Sequence, residues 1–192
     1  MITHILVLLV LTFAAAVVAI PTWEGFNSRA SIGSLVPGAA AIEAMGLPYG
    51  HPYYLSTSAP RGHSGNATVT HTPDPPMFFV NRNQLFLYTN DSSILTVNVL
   101  NTTASDEDPM PYKITLDNKR AGLSDTVWRW QGTLLQFDHG QRNNQGLYYS
   151  CLNKRGIWNL YLFLQPAPTP DDCKIVTLHS FGHLGLHEQH AS

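Results

Sequence analysis

The sequence predicts an all-β fold, an antiparallel β-sandwich or small barrel with one disulfide, preceded by an irregular N-terminal segment. From Pro76 onward, short runs of β-favouring residues alternate with turn residues at intervals of about ten residues. No stretch of that region has convincing helical periodicity, which disfavours α/β architectures. Charged residues are only 12% of the chain, against roughly 25% in average soluble proteins. This low charge is typical of an extracellular β-protein.

The apolar run from Ile5 to Ala19 is typical of a signal peptide covering residues 1–19. The small residues Val17, Val18 and Ala19 suit a signal peptidase, and Pro21 follows them. A membrane anchor is the alternative interpretation, because the run is near the short limit for crossing a ~30 Å hydrocarbon core. We therefore expect a secreted, extracellular or cell wall protein that has no membrane contact after cleavage.

Residues 20–75 show neither a strand nor a helix period and are rich in Pro, Gly, Ser and His. They predict an irregular or partly disordered lead-in. Within it, the stretch from Ala39 to Met45 has the composition of one or two helical turns, ended by Gly46 and Pro48. The aromatic residues that follow either dock on the sheet or stay mobile, and the sequence leaves both open.

The β-domain is predicted to span residues 76–181, followed by a flexible tail over 182–192. Its third strand alternates, with Leu95, Val97 and Val99 on the core side and Thr96 and Asn98 on a solvated side. The predicted strands are Phe78–Val80, Gln84–Tyr88, Ile94–Leu100, Tyr112–Leu116, Asp125–Gln131, Thr133–Phe137, Gly146–Cys151, Ile157–Leu164 and Lys174–His179.

The strand Ile157–Leu164 is apolar on both faces, which predicts a central position in the sheet. Cys151 lies before it and Cys173 lies after a proline-rich connection. In an oxidising compartment two cysteines are expected to form a bridge, and closing this loop stabilises the fold by about 3 kcal/mol. Metal ligation or a redox pair is the alternative, which the lack of a C-x-x-C motif disfavours.

Three N-glycosylation sequons begin at Asn66, Asn90 and Asn101. By the alternation of its strand, Asn101 would point inward, so a glycan there requires that strand to end by about Leu100. We expect at least one of the three sequons to be occupied.

Catalytic constellations are weak in this sequence. Asp138 and His139 are the one adjacent acid–histidine pair in the β-region, without a nucleophile elbow beside them. Among the acids that glycosidase chemistry would need, Glu43 falls in the lead-in and Glu107 in a predicted turn. We therefore expect a non-enzymatic protein without a cofactor. The formal net charge is -2, and the sequence has no basic stripe that could follow a phosphate backbone. Both observations disfavour nucleic acid as a partner.

Two further groups are candidate binding residues. Trp128 and Trp130 share one side of a strand, a geometry that suits stacking on sugar rings, although core packing is the commoner fate of such a pair. His183 and His187 have the spacing of a helical metal chelate, but Gly182 and Gly185 oppose a helix. We predict no dedicated metal site, with these two histidines as weak candidates only.

Four stretches carry a resemblance to a known family. Phe78–Leu87, Gly146–Cys151, Trp158–Leu164 and Cys173–Val176 resemble the C-terminal β-region of the small secreted cell wall protein PhiA and its relatives in filamentous fungi. The resemblance covers about the second half of the chain, and Leu152 stands where that family typically has proline. It implies a fungal secreted glycoprotein associated with the cell wall, with no catalytic residues to transfer.

These observations together predict a secreted, N-glycosylated and non-catalytic component of a fungal cell wall. Its expected partner is wall polysaccharide or an extracellular protein. The alternatives are a secreted effector or inhibitor and a carbohydrate-binding module. The sequence does not determine the oligomeric state.

Overall fold

The computed structural model describes residues 39–48, 50–90, 93–102, 111–154, 156–165 and 167–181. All of these residues belong to one compact unit, Val36–Ser192. The predicted signal peptide (1–19) and tail (182–192) lie outside the described residues. Within the described ranges no helix is long and apolar enough to cross a membrane.

The all-β prediction is confirmed, because the described strands form one large sheet of 14 strands whose ladders are antiparallel. The strands are β1 (Ala40–Ala41), β2 (Glu43–Met45), β3 (Tyr53–Thr57), β4 (Gly65–Thr70), β5 (Met77–Asn81), β6 (Gln84–Asn90), β7 (Ser93–Asn101), β8 (Tyr112–Asp117), β9 (Thr126–Gln131), β10 (Leu134–His139), β11 (Arg142–Asn143), β12 (Leu147–Leu152), β13 (Trp158–Leu162) and β14 (Cys173–His179).

The strand pairings form a closed circuit in the order β8, β13, β12, β14, β2, β3 and β4, and β4 pairs again with β8. Strand β8 makes this closure because its two halves have different partners on one edge. Tyr112 and Lys113 pair with β13, whereas Thr115 and Leu116 pair with β4. The strands β1, β5, β6 and β7 extend from β8, and β9, β10 and β11 join the circuit where β10 pairs with β14.

The predicted irregular lead-in over residues 20–75 is wrong for residues 40–70, which contain the first four strands. The predicted helical turns at Ala39–Met45 are wrong as well. Glu43–Met45 lies between β14 and β3 and hydrogen-bonds to both, and Ile42 beside it is fully buried. Two ladders and a buried side chain outweigh a helix propensity that is marginal over so few residues. Tyr53 and Tyr54 lie in β3 and are therefore part of the sheet, and Tyr53 packs against the core.

The inner face of the sheet buries one continuous apolar cluster. Leu95, Val97 and Val99 belong to it, as the alternation of β7 predicts. Strand β13 lies between β12 and β8, which confirms its predicted central position. The largest fully buried side chains in the described ranges are Trp128, Tyr148, Tyr161, Phe78, Phe137, Ile42, Leu55, Leu85, Leu95, Ile114 and Leu116.

The solvated side predicted for Thr96 and Asn98 is wrong, because both residues are buried. The backbone after β8 folds over this face and pairs with the Asn98 amide. Asn98 Nδ2 donates to the Lys119 carbonyl oxygen (2.8 Å), and Ala121 N donates to Asn98 Oδ1 (3.0 Å). Strand β7 also runs to Asn101, one residue past its predicted end, and Asn101 is exposed.

Candidate functional site

The predicted bridge between Cys151 and Cys173 is confirmed, with an S–S distance of 2.01 Å. The two cysteines are directly paired residues of the neighbouring strands β12 and β14. Their Cα atoms lie 4.0 Å apart. The disulfide therefore joins two strands that also share a ladder, on the outer face of the sheet.

A small apolar cluster surrounds this disulfide on the outer face. Tyr149 and Tyr161 are buried beside it, and the Phe163 ring meets the Tyr149 ring edge-on at a centroid distance of 5.2 Å. Asn159 is fully buried next to them, and its Nδ2 lies 3.5 Å from the Tyr161 hydroxyl oxygen. The outer face thus has its own packed group, separate from the inner cluster.

Trp128 and Trp130 do share one side of β9, but that side faces the core. Trp128 is 2% exposed and packs against Phe137 with a ring centroid distance of 4.8 Å. Trp130 is partly buried against the same cluster. Core packing, the commoner outcome for such a pair, is therefore the one observed. The buried Trp128 does not form a platform for sugar rings.

The three sequons lie at different positions on the sheet. Asn66 is half-buried in β4, and its backbone exchanges two hydrogen bonds with Ser58. Asn90 ends β6, and Asn101 is the exposed last residue of β7. Occupancy of these sites stays a prediction.

Some of the catalytic and metal-binding candidates predicted from the sequence lie among the described residues, and others do not. Asp138 forms an ion pair with Arg129 (Nε to Oδ2, 2.6 Å), so its carboxylate is engaged across the β9–β10 ladder. Glu43 lies in β2 rather than in an irregular lead-in. His183 and His187 lie outside the described residues. Within the described part of the chain, no group of three or more His, Cys, Asp or Glu side chains could hold a metal ion.

Exposed apolar side chains also cluster on a different surface, along strand β14. Thr177 of β14 pairs with Met45 of β2 on one side and with Leu147 of β12 on the other. Directly paired residues project from the same face of an antiparallel sheet. Residues two apart along a strand share that face as well. The β14 strip, as we name it, consists of Ile175, Thr177, His179, Phe181, Met45 and Leu147.

Four of these side chains are large, apolar and open to solvent. Phe181 is 52% exposed, Met45 45%, Ile175 43% and Leu147 37%. Scattered exposed apolar residues are ordinary, whereas neighbouring ones on a single face are typical of a contact surface.

The two rings at one end of the β14 strip are nearly parallel. The centroids of His179 and Phe181 lie 5.8 Å apart, and the angle between their planes is 6°. His179 is held by two hydroxyls: Nδ1 lies 3.1 Å from Thr133 Oγ1, and Nε2 lies 3.0 Å from Thr177 Oγ1. A neutral imidazole has one donor and one acceptor nitrogen, and hydroxyls can pair with either. These contacts orient the imidazole beside the phenyl ring.

Polar groups border the same end of the strip. Glu43 is directly paired with His179 on the β2 side, and Thr133 approaches from the β9–β10 turn. An aromatic ring face can pack on the C–H face of a sugar, and hydroxyl, imidazole and carboxylate groups can hydrogen-bond to sugar hydroxyls. The arrangement therefore suits a ligand with alternating apolar and hydroxylated surfaces.

Sequence reasoning did not identify this surface. His179 was predicted only as the end of a strand, and Glu43 was placed outside the domain. The available signal was the spacing of His179 and Phe181, two aromatic residues on one side of a strand end.

Comparisons with known proteins add nothing to this geometry: no family model, no curated protein and no solved structure matches the chain.

Proposed function

We propose that this protein is a secreted, N-glycosylated and non-catalytic component of a fungal cell wall that adheres to wall polysaccharide through the β14 strip. The single observation that carries the proposal is the nearly parallel ring pair of the half-buried His179 and the exposed Phe181, beside Thr133, Thr177 and Glu43. The disulfide between Cys151 and Cys173 supports export, because such bonds persist in oxidising compartments.

Sedimentation of the secreted protein with insoluble chitin, β-glucan or cellulose tests this function. We expect retention on at least one polysaccharide. Phe181→Ala should weaken the affinity roughly 2- to 12-fold, because stacking on an aromatic ring contributes about 0.5–1.5 kcal/mol. His179→Ala should weaken it similarly, since it removes the second ring.

Ile94→Ala is the matched control. Ile94 is an apolar residue with 46% exposure, close to that of Phe181, and it lies in β7 rather than on the β14 strip. Its substitution should leave retention unchanged. A protein that stays in the supernatant with every polysaccharide, or a Phe181→Ala variant that binds like wild type, would contradict the proposal.

A second candidate function is a secreted effector or inhibitor that binds a protein of a host or competitor. The aliphatic half of the β14 strip favours it, because Met45, Leu147 and Ile175 are all exposed there and core contacts of protein interfaces are apolar. Partner capture from extracts of that organism, with Ile175→Asp as the comparison, separates the two functions. An Ile175-dependent protein partner without polysaccharide retention would support this second candidate.

A further inference from the structure

Two histidines from separate segments lie side by side at one end of the β3–β4 hairpin. His51 lies two residues before β3, and His71 directly follows β4. Because these strands are antiparallel and Tyr54 pairs with Thr70, the start of β3 and the end of β4 coincide. The two imidazole centroids lie 5.1 Å apart with an angle of 37° between the ring planes. Both side chains are exposed.

The hydrogen bond of His71 determines which of its nitrogens is available. Nδ1 lies 2.9 Å from the carbonyl oxygen of Pro52. A carbonyl oxygen only accepts, so Nδ1 carries the hydrogen in this contact, and in the neutral ring Nε2 carries the lone pair. A backbone carbonyl that holds the second ring nitrogen is the usual outer contact of a metal-binding histidine. His71 is thus oriented and tautomerically prepared as an Nε2 ligand.

The spacing of the two rings fits a shared ion. Two imidazoles that bind one zinc ion through bonds of about 2.0–2.1 Å at a tetrahedral angle have ring centroids about 5 Å apart. The observed centroid distance of 5.1 Å is close to this value. A third ring, that of Tyr53, has its centroid 6.1 Å from that of His71.

From these observations we propose that His51 and His71 form a binding site for a divalent transition-metal ion of the zinc and copper class. The protein supplies two imidazole ligands, and solvent completes the coordination, since the described residues bring no third His, Cys, Asp or Glu to the pair. Imidazole nitrogen selects zinc, copper and nickel over magnesium and calcium, which prefer oxygen. The proposed site uses no residue of the β14 strip, and it does not depend on the proposed polysaccharide binding.

Calorimetric titration of the full secreted protein with Zn²⁺ and Cu²⁺ tests the site. The tail histidines His183, His187 and His190 are first replaced by glutamine, so that any binding there is removed. We expect one ion per chain, with Cu²⁺ bound more tightly than Zn²⁺. His51→Gln or His71→Gln should each weaken binding by roughly tenfold or more, because one imidazole remains.

His63→Gln is the matched control, because His63 is an exposed histidine in the turn at the opposite end of the same hairpin. It should leave the affinity unchanged. Thermal unfolding without metal checks that each variant is folded. We expect no loss of stability, because the side chains of His51, His63 and His71 are all exposed. Absence of Zn²⁺ and Cu²⁺ binding in the tail-substituted protein would overturn the proposal. So would binding that survives both substitutions or that His63→Gln weakens equally.

Discussion

The two faces of strand β12 bury adjacent tyrosines in different surroundings. Tyr148 faces inward, is fully buried and donates a hydrogen bond from its hydroxyl to the Leu135 carbonyl oxygen (3.1 Å). Tyr149 faces outward and packs against Phe163 in the small cluster around the disulfide. The inner cluster is continuous across the sheet, whereas the outer apolar cluster of the described residues is small, with Tyr149, Cys151, Tyr161 and Cys173 as its buried members.

The difference shows that one strand can be stabilised by two mechanisms. On the inner face the stabilising free energy comes from removing a large apolar area from water. On the outer face the apolar cluster has fewer members, and a covalent link supplements its packing. Exposed side chains of the β14 strip adjoin the outer group, so the disulfide stiffens the strands that present the candidate contact surface.

Truncation of the inner face should have the largest effect. Trp128→Ala should lower the free energy of unfolding by about 3–5 kcal/mol, because it leaves a cavity against Phe137. Urea denaturation measures this change. Trp130→Ala is the control on the same side of β9, and it should cost less because Trp130 is only partly buried. Equal losses in the two variants would contradict the assignment of Trp128 to the core.

Removal of the disulfide between Cys151 and Cys173 should have the next largest effect on stability. The double variant Cys151→Ala/Cys173→Ala should lower the free energy of unfolding by about 3 kcal/mol, because the unfolded chain gains loop entropy. The same denaturation experiment on the wild-type protein with a reducing agent should reproduce most of the loss. Alkylation of both cysteines in unreduced protein would contradict the bridge.

The smallest effect should come from a single hydroxyl of the inner face. Tyr148→Phe removes the hydrogen bond to Leu135 and should cost about 1 kcal/mol at neutral pH. Burial raises the pKa of Tyr148 above its usual range, an effect that its hydrogen bond with Asn144 partly offsets and that the charge of Asp138 increases. The folded state therefore retains this proton at a pH where the unfolded state releases it.

The sign of the pH dependence follows from that shift. The stability contributed by the raised pKa is fully present below the unfolded value of about 10 and is lost as the pH rises above it. The stability difference between wild type and Tyr148→Phe should thus shrink between about pH 8 and about pH 11. Urea titrations at both values measure it. A difference that stays constant would show that ionisation of Tyr148 is not linked to unfolding.

Much of the fold could be predicted where a pattern is local. Alternation in β7 placed Leu95, Val97 and Val99 in the core, and the apolar faces of β13 predicted its central position. The strands between 40 and 70 were missed because their signal is not local. Glu43–Met45 is a strand because β14 and β3 lie on either side of it, and neither neighbour is visible in the composition of that segment.

The candidate site was harder to predict for a related reason. Spacing predicts correctly that Trp128 and Trp130 share a side, but the side that becomes buried depends on how the β9–β10 hairpin packs. The buried Asn98 illustrates the same limit, since its cover comes from the backbone at Lys119 and Ala121. Exposure of Phe181 likewise depends on tertiary packing, so the β14 strip could be recognised only in three dimensions.

The closed pairing circuit has a consequence for the order of folding. Its early strand β2 pairs with β14, the final strand, through Glu43 and His179. Strand β2 therefore waits for nearly all of the described chain before it gains its second partner. Such high contact order predicts slow folding, with a long-lived intermediate whose strand edges are open to other chains. Such an intermediate is a substrate for molecular chaperones until β14 closes the circuit.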